Sequence, residues 1–95
     1  PSPEALEALA KALADEDAGV RAAAVAGLRE LDRLEPAACL PLLRDGADAV
    51  QLETLEALGR MGRLPPEVIE EVLLCLRTDH NPEVRVQAAA VLGST

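Results

Sequence analysis

The chain is predicted to be all-α, a solenoid of three helical hairpins and six helices, and three observations predict it. The first is an internal repeat. Val20-Arg21, Ala24 and Leu28 recur as Val50-Gln51, Thr54 and Leu58, and again as Val84-Arg85, Ala88 and Leu92, at offsets of 30 and 34 residues. A period of roughly 20 to 50 residues marks an array whose single units cannot bury their own apolar faces, so that about three are needed for stability. The second is the spacing of apolar residues within each unit, three and four apart, which places them on one helical stripe. The third is punctuation: serine, aspartate, asparagine and proline stand where helices should begin.

Ser2-Pro3 opens the first helix, serine as N-cap and proline at a position whose N–H has no partner to lose. Leu6, Leu9 and Leu13 form its stripe. After Asp15-Glu16-Asp17, Asp17 caps a second helix whose stripe is Val20, Ala24, Leu28 and Leu31, and the acidic residues suit the positive end of its dipole. Glu35-Pro36 starts the third helix, which should bend without breaking at Pro41, where one backbone bond is lost. Leu40, Leu43 and Cys39 point inward. Beyond the turn Asp45-Gly46-Ala47-Asp48, the fourth helix carries Val50, Thr54, Leu58 and Met61, and Gly59 and Gly62 weaken its end. Pro65-Pro66 begins a fifth helix with a wide face of Val68, Ile69, Val72, Leu73, Cys75 and Leu76. Asn81-Pro82 is the clearest helix start in the chain and opens the sixth.

Composition narrows the function classes. Ninety-five residues make one domain, residues 1–95, in which about 60 to 65% of the unfolded surface is buried. There is no Phe, Trp or Tyr, so there is no stacking platform for bases or sugars and no aromatic cage. A formal charge of −8 repels phosphate backbones and anionic bilayers, and no apolar run approaches the roughly 20 residues of a membrane span. Neither nucleic acid nor membrane is therefore expected as a partner. Two cysteines in apolar helical runs and no secretory leader read as a reduced, cytoplasmic protein.

In register from the valines, Asp15, Asp45 and Asp79 each stand five residues ahead of Val20, Val50 and Val84. Arg21 and Arg85 follow the valines in the outer units, and Gln51 takes that place in the middle one. An Asp–Arg interaction within a turn or between neighbouring turns is sterically reasonable.

These units, Leu-x-x-Leu, then Asp, then Val-Arg, Ala and Leu, resemble HEAT repeats, in particular the short variety of bacterial and phycobilin-lyase-like chains. The resemblance covers nearly the whole sequence, with repeats at about 3–33, 35–63 and 65–93. It implies a right-handed α-α superhelix, and it implies that the turn aspartate and the arginine of the second helix link adjacent repeats, a role that falls on Asp15, Asp45, Asp79, Arg21 and Arg85. Gln51 departs from the pattern but retains an amide donor. The resemblance further implies a non-catalytic protein–protein interaction or scaffold module. The expected partner is another protein or the rest of a parent chain, the exposed side of the last hairpin being read either as a cut end of a longer array or as a docking surface, and no oligomeric state is assigned. A second implied reading is part of a bilin lyase handling a tetrapyrrole, which the lack of aromatics and the single histidine weaken. A third, the duplex grip of some DNA glycosylases, meets the wrong charge.

No catalytic, cofactor or metal set is visible. His80 reads as an exposed loop residue, Cys39 and Cys75 alone do not complete a zinc shell, and the few hydroxyls lie in no nucleophile motif. The acidic edge of Asp15, Glu16, Asp17, Asp45, Asp48 and Asp79 is assigned to capping and linkage. The candidate partner contacts are Arg29, Arg33, Arg60 and Arg63, gathered toward the ends of the second helices, with Leu74 and Val86, which project from the last hairpin. Arg29→Ala is accordingly expected to be near neutral for stability.

Overall fold

The computed structural model describes all 95 residues, and it is entirely helical. The elements are α1 (Pro3–Ala12), α2 (Ala18–Glu30), a 3-10 turn (Pro36–Ala38) running into α3 (Cys39–Leu43), α4 (Asp48–Gly59), α5 (Pro66–Thr78) and α6 (Pro82–Gly93). Three starts are fixed by side-chain caps that satisfy otherwise orphaned N–H groups. Ser2 Oγ accepts from Ala5 N at 3.1 Å, Asp17 Oδ1 from Val20 N at 3.2 Å, and Asn81 Oδ1 from Glu83 N at 2.9 Å.

The third helix differs from the expected single bent helix. The chain winds first as 3-10, closing Ala38 N on Glu35 O at 3.1 Å, and is α-helical for only five residues. Pro41 lies inside those five and has no N–H to close a bond four residues back, so a longer regular helix gains little here. Short as it is, α3 places Cys39, Leu42 and Leu43 in the interior.

Helix α2 ends in a Schellman turn: Arg33 N donates to Leu28 O at 2.9 Å and Asp32 N to Arg29 O at 3.0 Å. Asp32 takes the left-handed conformation that glycine usually supplies there, with φ 57°. Past α4, which stops at Gly59, Gly62 turns the chain at φ 80°. Met61 therefore lies beyond the helix, not on it, and packs half-buried against the core.

Helices α2, α4 and α6 pack one against the next, α1 pairs with α2, α5 pairs with α6, and α3 lies against α4 and α5. One apolar cluster, including Leu43, Leu55, Leu58, Val68, Val72 and Val84, joins the second and third hairpins. A smaller one of Val25, Leu42, Val50 and Ala57 joins the first to the second. Thr54 occupies the alanine place of the seam without a penalty for its hydroxyl, because Oγ1 donates to Val50 O at 2.7 Å.

Position in the row corrects part of the expected interior. Val50 and Val84 are fully buried, but Val20 is 40% exposed, since no other hairpin of this structure lies over it. Val25, one position off the expected stripe, is fully buried in its place. Leu6, Leu9 and Leu13 are likewise only half-buried: α1 packs chiefly on α2.

Cys39 and Cys75 are both free and buried in the larger cluster. Burial pushes the Cys39 thiol up to about 12 and raises Cys75 as well, the latter helped by the Asp79 and Glu71 carboxylates. Thiols held protonated in this way are poor nucleophiles and poor metal ligands at neutral pH, so they act here as small apolar side chains.

Candidate functional site

The three inter-helix turns are built alike. In each, the aspartate accepts a hydrogen bond from the backbone two residues on: Asp15 from Asp17 N, Asp45 from Ala47 N and Asp79 from Asn81 N, all at 2.9 Å. These Asx turns hold each carboxylate in the same orientation. The residue after the seam valine then reaches back toward its own turn and, in the first two hairpins, on to the next. Arg21 Nη1 donates to its own turn, to Asp15 O at 2.8 Å, while Nε and Nη2 fork onto Asp45 Oδ2 and Oδ1 of the next hairpin at 2.7 and 2.9 Å. Gln51 Nε2 donates to Leu43 O at 2.9 Å and to Asp79 Oδ2 at 3.0 Å. Arg85 Nη1 donates to Asp79 O at 2.7 Å.

Of the two arrangements open to the turn aspartates and arginines, the one guanidinium-to-carboxylate link, Arg21 to Asp45, runs between neighbouring turns, and the bonds of Arg21 and Arg85 within a turn go to backbone carbonyls. The parallel fork of Arg21 on Asp45 is the strong, geometry-specific kind of ion pair. It holds the Asp45 carboxyl below its ordinary range, first through the hydrogen bonds from Arg21, and it raises Arg21 correspondingly. Two contacts not anticipated from the pattern reinforce the joint between the second and third hairpins. Asn81 Nδ2 donates to Asp48 Oδ2 at 2.8 Å, and Arg44 pairs with Glu71, lowering the Glu71 carboxyl through that hydrogen bond.

The four candidate arginines are not equivalent. Arg29, Arg60 and Arg63 border a groove of about 550 Å³ whose apolar lining is Leu34, Ala57 and Met61, with Glu30 and Asp32 on its rim. Arg33 is exposed and sits by a smaller, more apolar groove of about 280 Å³ formed with Leu6, Leu13 and Leu28.

Arg29 departs from the expectation of an exposed contact. Its side chain is only 17% exposed and lies among Glu30, Glu53 and Glu56 at 3.3, 3.8 and 3.4 Å. Its Nε and Nη1 and Glu53 Oε2 are buried without hydrogen-bond partners, so only charge attraction compensates them. Helix α4 brings the two glutamates over α2, a long-range arrangement that spacing within α2 does not reveal. Arg29→Ala is therefore expected to destabilise by about 1–2 kcal/mol, because it strands Glu53 beside Glu56. Arg63→Ala should stay within about 0.5 kcal/mol. Equal urea midpoints for the two variants would contradict this.

Leu74 and Val86 are exposed on the outer side of the last hairpin, at 50% and 63%. His80, expected to be a plain exposed loop residue, is exposed but not isolated: its Nε2 stands 4.0 Å from Asp48 Oδ1 and its Nδ1 3.9 Å from Asp79 Oδ1. These three form a cluster of candidate ligand atoms within 4.8 Å. Both Asp79 oxygens are already engaged, by Gln51 and by Asn81 N, and Asp48 Oδ2 holds Asn81, so the cluster is tied into the inter-hairpin linkage.

No protein-family model matches the chain, and no curated protein matches it. No helix is long and apolar enough to cross a membrane.

Proposed function

We propose that the chain is a non-catalytic protein–protein interaction module, a short right-handed superhelix of three HEAT-like repeats working in the reducing cytoplasm. The support lies in the ladder of turns, repeated in register, and in the two buried free thiols. The observation that carries the functional reading is the groove of about 550 Å³ at the ends of α2 and α4, where Arg60 and Arg63 stand beside Leu34 and Met61 in a lining that also holds Arg29, Glu30 and Asp32. Exposed guanidiniums beside aliphatic side chains suit a peptide segment with a carboxylate next to an aliphatic residue, the carboxylate giving orientation and the aliphatic contact giving affinity. The smaller groove, at about 280 Å³, falls just below the range of about 300–1,000 Å³ of small-molecule sites.

The test is a fluorescence-anisotropy titration in which the chain is added to dye-labelled short peptides that vary independently in acidic and aliphatic content. Peptides combining both are expected to bind, and the double variant Arg60→Glu/Arg63→Glu is expected to lose them. Binding that ignores peptide charge, or that survives the double variant, would overturn the reading.

A further inference from the structure

Within residues 1–95, the two ends of the helix row carry uncovered counterparts of an interface that these residues already make twice internally. We propose that it associates head to tail with a second copy of itself, Asp15 of one copy entering the guanidinium fork of Arg85 of the next.

The internal joints define what such a contact requires. At the first, Arg21 forks onto Asp45, and Val25 is fully buried with Leu42 and Val50. At the second, Gln51 donates to Asp79, and Leu55 is fully buried with Val68, Val72 and Val84. The next rung in register is Arg85. Its Nη1 bond to Asp79 O at 2.7 Å matches the Arg21 bond to Asp15 O at 2.8 Å and orients the guanidinium in the same way. The Nε and Nη2 groups, which on Arg21 grip a carboxylate, have no partner on Arg85. Around it, Ala89 stands where Val25 and Leu55 are buried, and is exposed. Val86 stands where Ala22 and Leu52 are half-covered, and is 63% exposed.

The opposite end carries the complementary half. Asp15 occupies the register of Asp45 and Asp79, yet its carboxylate accepts only the Asp17 N–H of its own turn. Val20 occupies the register of the fully buried Val50 and Val84, and is exposed. One end thus presents a fixed carboxylate beside an aliphatic side chain, the other a fixed two-pronged donor beside aliphatic side chains. The new rung would be an Arg–Asp fork like the first internal joint, stronger than the single amide bond of the second. Such a contact is heterologous, so it adds copies in a row and does not close as a twofold dimer. It uses the ends of the row and not the arginine-lined groove, so peptide binding there can fail while the association stands.

Sedimentation of the 95-residue chain from micromolar to millimolar concentration, at about 0.15 M salt so that the like charge of the copies is screened, tests this. The mean mass is expected to rise with concentration beyond that of a dimer. Arg85→Asp and Asp15→Arg are each expected to weaken association about tenfold or more, and an equimolar mixture of the two should restore it as an alternating row, the unaltered Asp15 of one variant meeting the unaltered Arg85 of the other and the two substituted positions meeting with their charges reversed. Val86→Glu, at a site too exposed to threaten folding, should weaken it too. A chain that stays monomeric at millimolar concentration, a mass that saturates at the dimer, or association indifferent to both Arg85→Asp and Val86→Glu would each overturn the proposal.

Discussion

Replacing Leu58 by alanine is expected to lower the unfolding free energy by about 2–5 kcal/mol, the range for truncating a buried leucine. Leu58 is 1% exposed and lies in the cluster shared by the second and third hairpins, where α4 is held against α5 and α6. Its neighbours Leu43, Leu55 and Val91 are themselves buried, so little can move in to fill the void. In a domain of this size each kcal/mol moves the melting temperature by roughly 4–8 °C, so the variant should melt at least about 8 °C lower. Leu28→Ala, the same chemistry one hairpin earlier, should fall at the low end of the range. Leu28 lies beneath α1, which has no fully buried residue and is free to settle inward. Thermal and urea unfolding of the two variants checks this, and a loss below about 1 kcal/mol for Leu58→Ala would show that the valine–leucine seam is not the core.

The second large effect belongs to Asp45. Asp45→Ala removes the acceptor of the Arg21 fork and of the Ala47 N–H together, and its side chain is only 9% exposed, so water replaces those bonds poorly. A cost of about 1–3 kcal/mol is expected for charge-assisted bonds of this kind. The dependence on pH separates the fork from the turn. Because the Asp45 carboxyl is held below its ordinary value of about 3.9, its contribution is complete above that value and is lost as pH falls through the lowered one. Asp45→Asn keeps an acceptor for Ala47 N and removes the charge. It should therefore be less stable than the parent at neutral pH, and the gap should narrow as the pH drops below about 4. A gap independent of pH would show that the carboxylate charge is not what Arg21 holds.

The helices and their starts were legible because their causes are local. Ser2, Asp17 and Asn81 cap N–H groups two or three residues away, and proline acts on its own backbone bond. Legibility fades where the partner lies elsewhere in the chain. Val20 and Val50 carry the same local pattern, and only the neighbouring hairpin makes one half-exposed and the other dry. Arg29 and Arg60 both stand near the ends of second helices, yet Glu53 and Glu56 reach Arg29 from a different helix, while Arg60 pairs with Glu56 one turn back on its own helix. His80 looked solitary because Asp48 is distant in sequence and near in space.

Helicity, the capped helix starts and the residues that recur in register can be read along the chain, since periodicity and capping are written within a few residues of where they act. Packing alone settles that Arg21 takes its own turn by the carbonyl and the next by the carboxylate, and which seam positions are sealed. Those outcomes depend on which helix lies across the gap, and a fork can reach two carboxylates of equal chemistry until packing brings one of them to 2.7 Å.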